Sequence, residues 1–589
     1  MTLLKKTAEF KAFLGRAWAL SAPYFQSEEK WQARGLLAGI VALNLGFVYI
    51  LVQFNEWNRF FYDALQEKNY PVFLEQMLRY TVLAFIYIVI AVYRFYFTQL
   101  LEMRWRAWMT RRYMQRWLAH KIYYHLELAR FAALEADQSP DNPDQRIQED
   151  LREFTARTVG LSMGLLNALV TLLSFVGILW SLSGAFAFSW GGQAFDIPGF
   201  MVWVAILYCA IGTVITHYVG RKLIPLNYQQ QRREADLRHN LVRVREYSEA
   251  IALDRGEAVE YRQLDLRLGH VLANYLQLIM AQKRLTMFTA TFSQASVVFP
   301  FIVAAPRFFS GAIQLGTVMQ IASAFGRVQD SLSWFIDNYD GLAAWRATTD
   351  RLTNFDAAMA AAGEPTALQH QRGATDTAGM RASDLSLNLP TGSRLLARTQ
   401  LRVLPGDSVL LRGPSGSGKS TLFRAVAGIW PFASGQVALP ASTMFIPQRP
   451  YFPNASLRDA LAYPEPAQAY DDETLRQALR EALLPQLVDQ LDLVDAWGQK
   501  LSGGEQQRLA LARVFLKKPA WIFADEATSA LDEESERILY ERLLALVKSG
   551  NGALISIAHR KSMLAWHSRS WTLEKQAAGE AALFRLRQT

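Results

Sequence analysis

The sequence predicts a multidomain membrane protein: an all-α domain of six spans followed by an α/β domain built round a phosphate-binding loop. Three observations carry this. Six apolar stretches of about 20 residues precede residue 337, each long enough to cross a bilayer. The segment Gly413-Pro414-Ser415-Gly416-Ser417-Gly418-Lys419-Ser420 fits the pattern G-x-x-x-x-G-K-[ST] and stands between the apolar run Ser408-Val409-Leu410-Leu411 and the helix-like run that opens at Thr421. Finally, the apolar run Trp521-Ile522-Phe523-Ala524 ends in two carboxylates, Asp525 and Glu526.

A chain of 589 residues exceeds what one hydrophobic core organises, so at least two domains are expected. Its 51% hydrophobic content averages two unlike halves, because a soluble C-terminal domain requires a strongly apolar N-terminal one. The net charge of +9 is explained by arginines flanking the apolar segments rather than by nucleic acid. Cys209 is the single cysteine, so no internal disulfide and no multi-cysteine metal site can form.

Residues 1–34 mix Lys5, Lys6, Lys11, Arg16, Lys30 and Arg34 with Phe10, Phe13, Leu14, Trp18, Leu20, Tyr24 and Phe25. No continuous apolar run with a small-residue cleavage site occurs there, so a helix lying at the membrane surface is expected and a cleaved signal is not. The membrane domain is expected over 35–353, with spans near 35–55, 79–101, 160–183, 197–220, 285–306 and 312–336. The last two are the more polar, with Thr286, Thr289, Ser293, Gln294, Gln320 and Arg327. Further polar groups within spans are Asn44, Gln53, Arg94, Asn167 and His217, which face the protein interior or a wet path, or join helices.

Orientation follows from charge. The segment after the second span carries Arg104, Arg106, Arg111, Arg112, Arg116 and Lys121, and that after the fourth carries Arg221, Lys222, Arg232, Arg233, Arg238, Arg243 and Arg245; residues 181–199 contain no Lys or Arg. The arginine-rich side is therefore cytoplasmic. Both segments have helical periodicity and are expected to extend the spans, turning at tips placed at Asn142–Asp150 and Glu249–Glu257. Residues 354–380, poor in apolar groups and holding Gly363, Pro365 and Gly373, are expected to be a linker before a nucleotide-binding domain at 381–589.

In that domain the glycines let the backbone curl so that successive N–H groups at a helix N-terminus surround the phosphates of a nucleotide, while Lys419 adds a positive charge and Ser420 a hydroxyl for Mg²⁺. Asp525 can hold Mg²⁺ through water, and Glu526 can take a proton from an attacking water. Ser502-Gly503-Gly504-Glu505 opens a helix on a glycine-rich turn, a second phosphate-binding N-terminus. Gln448 follows the apolar run Met444-Phe445-Ile446, and His559 follows Ile555-Ser556-Ile557.

In order and spacing these stretches resemble the nucleotide-binding domain of ABC transporters over roughly 381–575. The resemblance implies that ATP binds at Gly413 to Thr421, that Leu501 to Glu505 is the signature, and that Gln448 senses the metal. It further implies Glu526 as catalytic base, Ser529 to Asp532 as the D-loop and His559 as the switch histidine. One departure is that no Phe, Tyr, Trp or His occurs from Arg381 to Leu422, where this family stacks adenine on an aromatic ring. The stretches Asn142–Asp150, Glu249–Glu257, Gly428-Ile429-Trp430-Pro431 and Asn55–Leu65 are similar to the subgroup joining YddA-type and SbmA/BacA-like proteins to the ABCD transporters. That resemblance implies an exporter-type membrane fold and a cytoplasmic ATPase in a bacterial inner membrane. One phosphate loop and one signature imply two chains, most simply a homodimer.

The implied activity is ATP-driven movement of a large hydrophilic or amphipathic solute, peptide or cobalamin-like, with uptake preferred. The rivals are export or flipping of lipid or fatty-acyl compounds, and a membrane regulator gated by ATP. Six spans and one ATPase domain exclude a soluble protein acting on ribosomes or DNA.

Overall fold

The computed structural model describes residues 2–132, 142–183, 185–190, 193–364, 366–373, 379–577 and 580–589. The chain divides into two compact units, Met1–Gln115 with Asn142–Phe355, and Arg116–Asp141 with Asp356–Thr589.

The first unit is helical. Five helices among the described residues are long and apolar enough to cross a membrane: Lys30–Gln66, Tyr70–Ala129, Pro143–Ser183, Phe200–Glu246 and Glu257–Phe309. The expected sixth span is present as helix Leu315–Asp337, but its composition falls short of that standard. The reason is position: it packs against the helices beginning at Lys30, Leu151, Phe200 and Glu257. Val318, Ile321, Ala324, Phe325 and Val328, at near-helical spacing, are buried there with Leu51, Phe175, Leu179 and Ala205. Gln320 is buried in that packing, whereas Arg327 and Asp330 are exposed. The connection between the third and fourth spans is a hairpin, Ala185–Trp190 pairing antiparallel with Gln193–Pro198.

Several polar stretches prove to be joints. Asn55 Nδ2 donates to Gln320 O at 3.0 Å, Trp57 Nε1 to Gln76 O at 2.8 Å, and Gly316 N–H to Asp63 Oδ1 at 2.8 Å, so the Asn55–Leu65 motif ties helix Lys30–Gln66 to its neighbours. A side chain at Gly316 would lie 2.0 Å from Arg59 O, so the close approach requires glycine there. The N-terminal segment forms helix Thr2–Ser21, and it does more than lie on a surface. Phe13, Ala17, Leu20 and Tyr24 are buried, Phe13 edge-on to Trp345 and Tyr24 stacked on Trp105, while Phe10, Leu14 and Trp18 stay exposed.

The first tip lies elsewhere than the sequence suggested. Residues Pro143–Asp150 are the opening turns of the helix that runs to Ser183, and Arg146, Ile147 and Asp150 are buried. Asp150 accepts from Arg146 and from Arg351 Nη2 at 2.6 Å, which anchors the motif inside the helical unit. Helix Ile122–Ala132 instead belongs to the second unit: Leu128 joins its core, Tyr124 packs against it, and Lys121 Nζ donates to Gly428 O at 2.9 Å. The sequence does not reveal the arginine partner of Asp150, which lies 201 positions away. The second tip is helix Ser248–Leu253, followed by a turn with Arg255 at φ 53°. Much of 354–380 is ordered too: helix Tyr339–Ala362 enters it, and Leu368–Arg372 is a strand paired with Ala433–Leu439.

Among the described residues the second unit holds two larger sheets and a short antiparallel pair, Ala455–Ser456 with Val494–Asp495. Five strands run parallel in the spatial order Thr443–Ile446, Trp521–Asp525, Ala553–Ile557, Ser408–Arg412, Arg569–Lys575, with Phe584–Gln588 antiparallel at the edge. The other sheet orders Leu368–Arg372, Ala433–Leu439, Met380–Asn388 and Arg394–Val403. Alternation along the parallel strands separates two cores. Leu410, Ile522, Ala524 and Leu554 pack with helices such as Gly503–Lys517, whereas Val409, Leu411, Trp521, Phe523, Ile555 and Ile557 pack toward the second sheet. Crossovers between parallel strands leave the carboxyl ends of all five on one edge, where α/β sheets bind ligands.

Candidate active site

Register sets the site. Ile557 pairs with both Asp525 and Leu411, and Ala524 with Ile446. Residues a step or two beyond these partners, Gln448, Glu526, His559 and the loop from Gly413, therefore emerge side by side. Two of these contacts are direct: Gln448 Nε2 donates to Glu526 Oε2 at 2.9 Å, and His559 Nε2 lies 3.1 Å from Glu526 Oε1. Two residues, 78 positions before and 33 positions after Glu526, thus converge on its carboxylate.

Glu526 holds an unusual backbone for a non-glycine residue, φ 49°, which needs support from its surroundings. Its N–H donates to Ile557 O at 3.0 Å. The buried amide of Gln507 does the rest: Nε2 donates to Glu526 O at 3.2 Å and to Ser529 Oγ at 3.0 Å, and Oε1 accepts from Ala530 N–H at 2.9 Å. Beyond this turn, Glu536 accepts from Thr528 Oγ1 at 2.6 Å and from Arg560 Nη1 at 2.9 Å, while Arg560 Nη2 donates to Leu531 O. Sequence reasoning missed Gln507, Glu536 and Arg560. The available signal was only that Gln507 lies on the signature helix and Arg560 follows His559. Gln507→Leu is expected to cost about 1–3 kcal/mol, because it strands buried partners; chemical denaturation would measure it, together with a fall in turnover at saturating nucleotide.

The loop from Gly413 leads from strand Ser408–Arg412 into helix Lys419–Val426. Gly416 and Gly418 have φ 74° and 86°, conformations that favour glycine, and a side chain at Gly418 would meet Leu395 at 2.1 Å. Lys419 is buried and its Nζ donates to Gly413 O and Pro414 O, each at 3.0 Å, so the ammonium is held under the loop. Burial lowers its pKa, opposed by Glu526 and Asp525. Burial likewise raises the Asp525 carboxyl above the ordinary range, opposed by a hydrogen bond from Ser420. Asp525 Oδ1 and Ser417 Oγ are buried without a protein partner. Orphaned oxygens beside a buried ammonium suit an anionic phosphate with a divalent cation, so the donor set fits Mg²⁺–nucleotide.

Ser502 caps helix Gly503–Lys517 in a capping box: its N–H and Oγ donate to Glu505 Oε2 at 3.0 and 2.8 Å. Those bonds to Ser502 hold the Glu505 carboxyl below its usual range. Ser502 and Gly503 are exposed, and Glu505's other side-chain oxygen accepts from Gln486 at 3.2 Å. Among the described residues the side-chain hydrogen bonds of Ser502 and Glu505 remain within this helix cap and Gln486. The structure thus brings Gln448, Asp525, Glu526, His559, Lys419 and Ser420 to one sheet edge, while among the described residues no hydrogen bond joins any of Ser502 to Glu505 to them.

Residues 20–309 match the family model "ABC transporter transmembrane region 2", and residues 396–529 match "ABC transporter". The chain is 34% identical to the "Inner membrane ABC transporter ATP-binding protein YddA" of Escherichia coli strain K12, over 93% of this chain and 96% of that protein. It is 31% identical to "ABC transporter D family member 2, chloroplastic" of Arabidopsis thaliana over 99% and 91%, and 26% identical to "Lysosomal cobalamin transporter ABCD4" of Mus musculus over 83% and 82%. In fold it matches a bacterial Atm1-family ABC exporter solved with ATP bound, at a TM-score of 0.69 and 17% identity, covering 92% of this chain and 93% of the other. The chain therefore belongs to the ABC transporter family, as a half-transporter that fuses one transmembrane region to one ATPase domain and is related to YddA and the D-family members.

Proposed function

We propose that two copies of this chain form an ATP-driven transporter in a bacterial inner membrane that moves a large hydrophilic or amphipathic solute, peptide or cobalamin-like, in the direction of uptake. The observation that carries the ATPase half of this reading is the convergence of Gln448 and His559 on the carboxylate of Glu526. In it Glu526 accepts the proton of the attacking water, His559 orients that carboxylate and faces the terminal phosphate, and Gln448 links the site to its metal. Gly413 to Thr421 surround the phosphates with N–H groups, and Lys419 turns its ammonium from the loop carbonyls to them. Ser420, Asp525 and Gln448 would hold Mg²⁺, which when bound neutralises charge on the phosphate oxygens.

Ser502 and Gly503 are exposed, and among the described residues Ser502 to Glu505 make no hydrogen bond to their own chain's phosphate loop, which supports a homodimer in which each signature closes over its partner's ATP. ATP then draws the two domains together because these contacts exist only in the closed state, and hydrolysis removes them.

For the cargo, Thr286, Thr289, Ser293 and Gln294 are exposed along helix Glu257–Phe309 at near-helical spacing, a polar stripe on a membrane-length helix that suits a wet passage. One relative is named as a cobalamin transporter. In lipid vesicles, ATPase activity and movement across the membrane would be measured with a proline-rich peptide, cobalamin and a long-chain acyl-CoA. The account expects stimulation and inward movement of a hydrophilic member. Response to the acyl compound alone would favour lipid or fatty-acyl flipping, and brisk turnover without movement would favour an ATP-gated regulator.

The raised pKa of Asp525 also sets a pH dependence. Because its pKa is raised when metal-free, Asp525 takes up a proton earlier on acidification than an exposed aspartate does, and Mg²⁺–ATP must displace that proton. Mg²⁺-dependent affinity should therefore weaken on acidification at a pH above that at which an exposed aspartate titrates, and Asp525→Asn should abolish that dependence in titration calorimetry.

A further inference from the structure

Within the helical unit, a cavity of about 300 Å³ is lined by Asn44, Arg94, Thr98, Gly160, Met163 and Asn167, with Ala91, Phe95 and Gly164 at its edges. Its polar groups come from three helices and lie at one depth. Asn44 is nine residues past the start of the first apolar run at 35, Arg94 seven before the end of the second at 101, and Asn167 seven past the start of the third at 160. At 1.5 Å per residue all three sit about 10–14 Å in from the arginine-rich side.

Arg94 is the unusual member. No carboxylate lies within ion-pair distance of it among the described residues, whose ion pairs elsewhere join arginines to acids. It is stabilised by the Phe47 ring, 4.0 Å from the guanidinium carbon, and by one bond from Nη1 to Asn44 Oδ1 at 3.3 Å. A guanidinium carries five N–H donors, so most of its donor capacity remains for a ligand. Asn44 is buried, and its Nδ2 is already used on Ile40 O and Met163 Sδ, which fixes its oxygen toward Arg94. Asn167 Oδ1 is buried with no partner, and an amide can turn either end into the cavity. Thr98 donates its hydroxyl to Arg94 O and can still accept. The cavity opens past Phe95 and Gly160, both exposed on the surface of this unit.

We propose that this cavity binds the anionic head of an amphiphile, a phosphate or carboxylate on a hydrocarbon tail, with Arg94 as its charge partner and Asn167 and Thr98 as flanking polar contacts. A fixed cation without an acid inside an apolar layer is costly unless an anion joins it, and the open side offers a path for the tail. The inference does not depend on which cargo is moved or in which direction.

The test uses the full chain in phosphatidylcholine nanodiscs. In one arm phosphatidylglycerol is included in the bilayer; in the other, dodecyl phosphate is titrated. Native mass spectrometry counts the retained ligand. Arg94→Ala should weaken retention about tenfold or more, as loss of a charged hydrogen-bonding partner does, and Arg94→Lys should recover part of it. Gly160→Leu is the second variant: nothing lies within 4 Å of a side-chain carbon placed there, so it narrows the mouth while leaving Arg94 and the helix intact. It should weaken retention as well. Retention of phosphatidylglycerol identifies a bilayer lipid as the source, and retention of dodecyl phosphate alone identifies a single-chain amphiphile. Equal retention by the parent chain, Arg94→Ala and Gly160→Leu, or retention of neither probe, overturns the proposal.

Discussion

Glu526→Gln is expected to slow ATP hydrolysis by about 10²–10⁴-fold while leaving nucleotide binding intact, the range that a positioned general base contributes. The substitution keeps the side chain's size and its place between Gln448 and His559, which lie 2.9 and 3.1 Å away. It removes only the ability to take a proton. With hydrolysis blocked and binding preserved, the ATP-bound dimer should accumulate and transport should stop. Phosphate release measured alongside size-exclusion chromatography in ATP would test both parts. Turnover at the parent rate would remove Glu526 from the role of base.

Lys419→Ala should have the second largest effect, acting on binding. The ammonium makes two bonds to the loop's own carbonyls, at 3.0 Å each, and in the nucleotide-bound state these are exchanged for phosphate oxygens. Hydrogen bonds to charged groups contribute about 1.5–3 kcal/mol each, so two lost bonds weaken ATP binding by about 100-fold or more. Equilibrium binding of a fluorescent ATP analogue measures this directly. An unchanged Kd would mean that Lys419 serves only to close the loop. Global stability should change far less, because Gly416 and Gly418 hold the turn through backbone conformation.

The division between what was legible in the sequence and what was not has a physical cause. The phosphate loop, the strand ending in Asp525 and the helix opened by Ser502 were readable because each is local: glycine conformations, an apolar run and a capping box are all decided within about eight residues. The meeting of Gln448 and His559 at Glu526 is a product of strand order, which no local pattern states. It was reached in the sequence only through family resemblance. Gln507 was passed over because a glutamine on a helix is ordinarily solvated, and only the tertiary fold turns it inward on the strained turn after Glu526.

The same distinction explains the differences in the helical unit. Asn142–Asp150 reads as a tip because helical periodicity extends the spans on either side of it. Arg351, far along the chain, buries Asp150 instead. Helix Leu315–Asp337 is more polar than the other spans, and packing against four helices accounts for buried Gln320 but leaves Arg327 and Asp330 exposed. Arg94, Asn44 and Asn167 each read as isolated polar residues, and only the packing places them round one cavity.

The measurement that tests the account most directly is complementation between two inactive chains. One carries Lys419→Ala, which removes its phosphate loop; the other carries Ser502→Arg, which blocks its signature. Each alone should be inactive in vesicles. Co-expressed in equal amounts, half of the dimers are mixed and each has one intact composite site of two, so about a quarter of the parent ATPase activity should return if the sites act independently. A mixture that stays at the level of the separate variants would contradict the shared site between two copies of this chain.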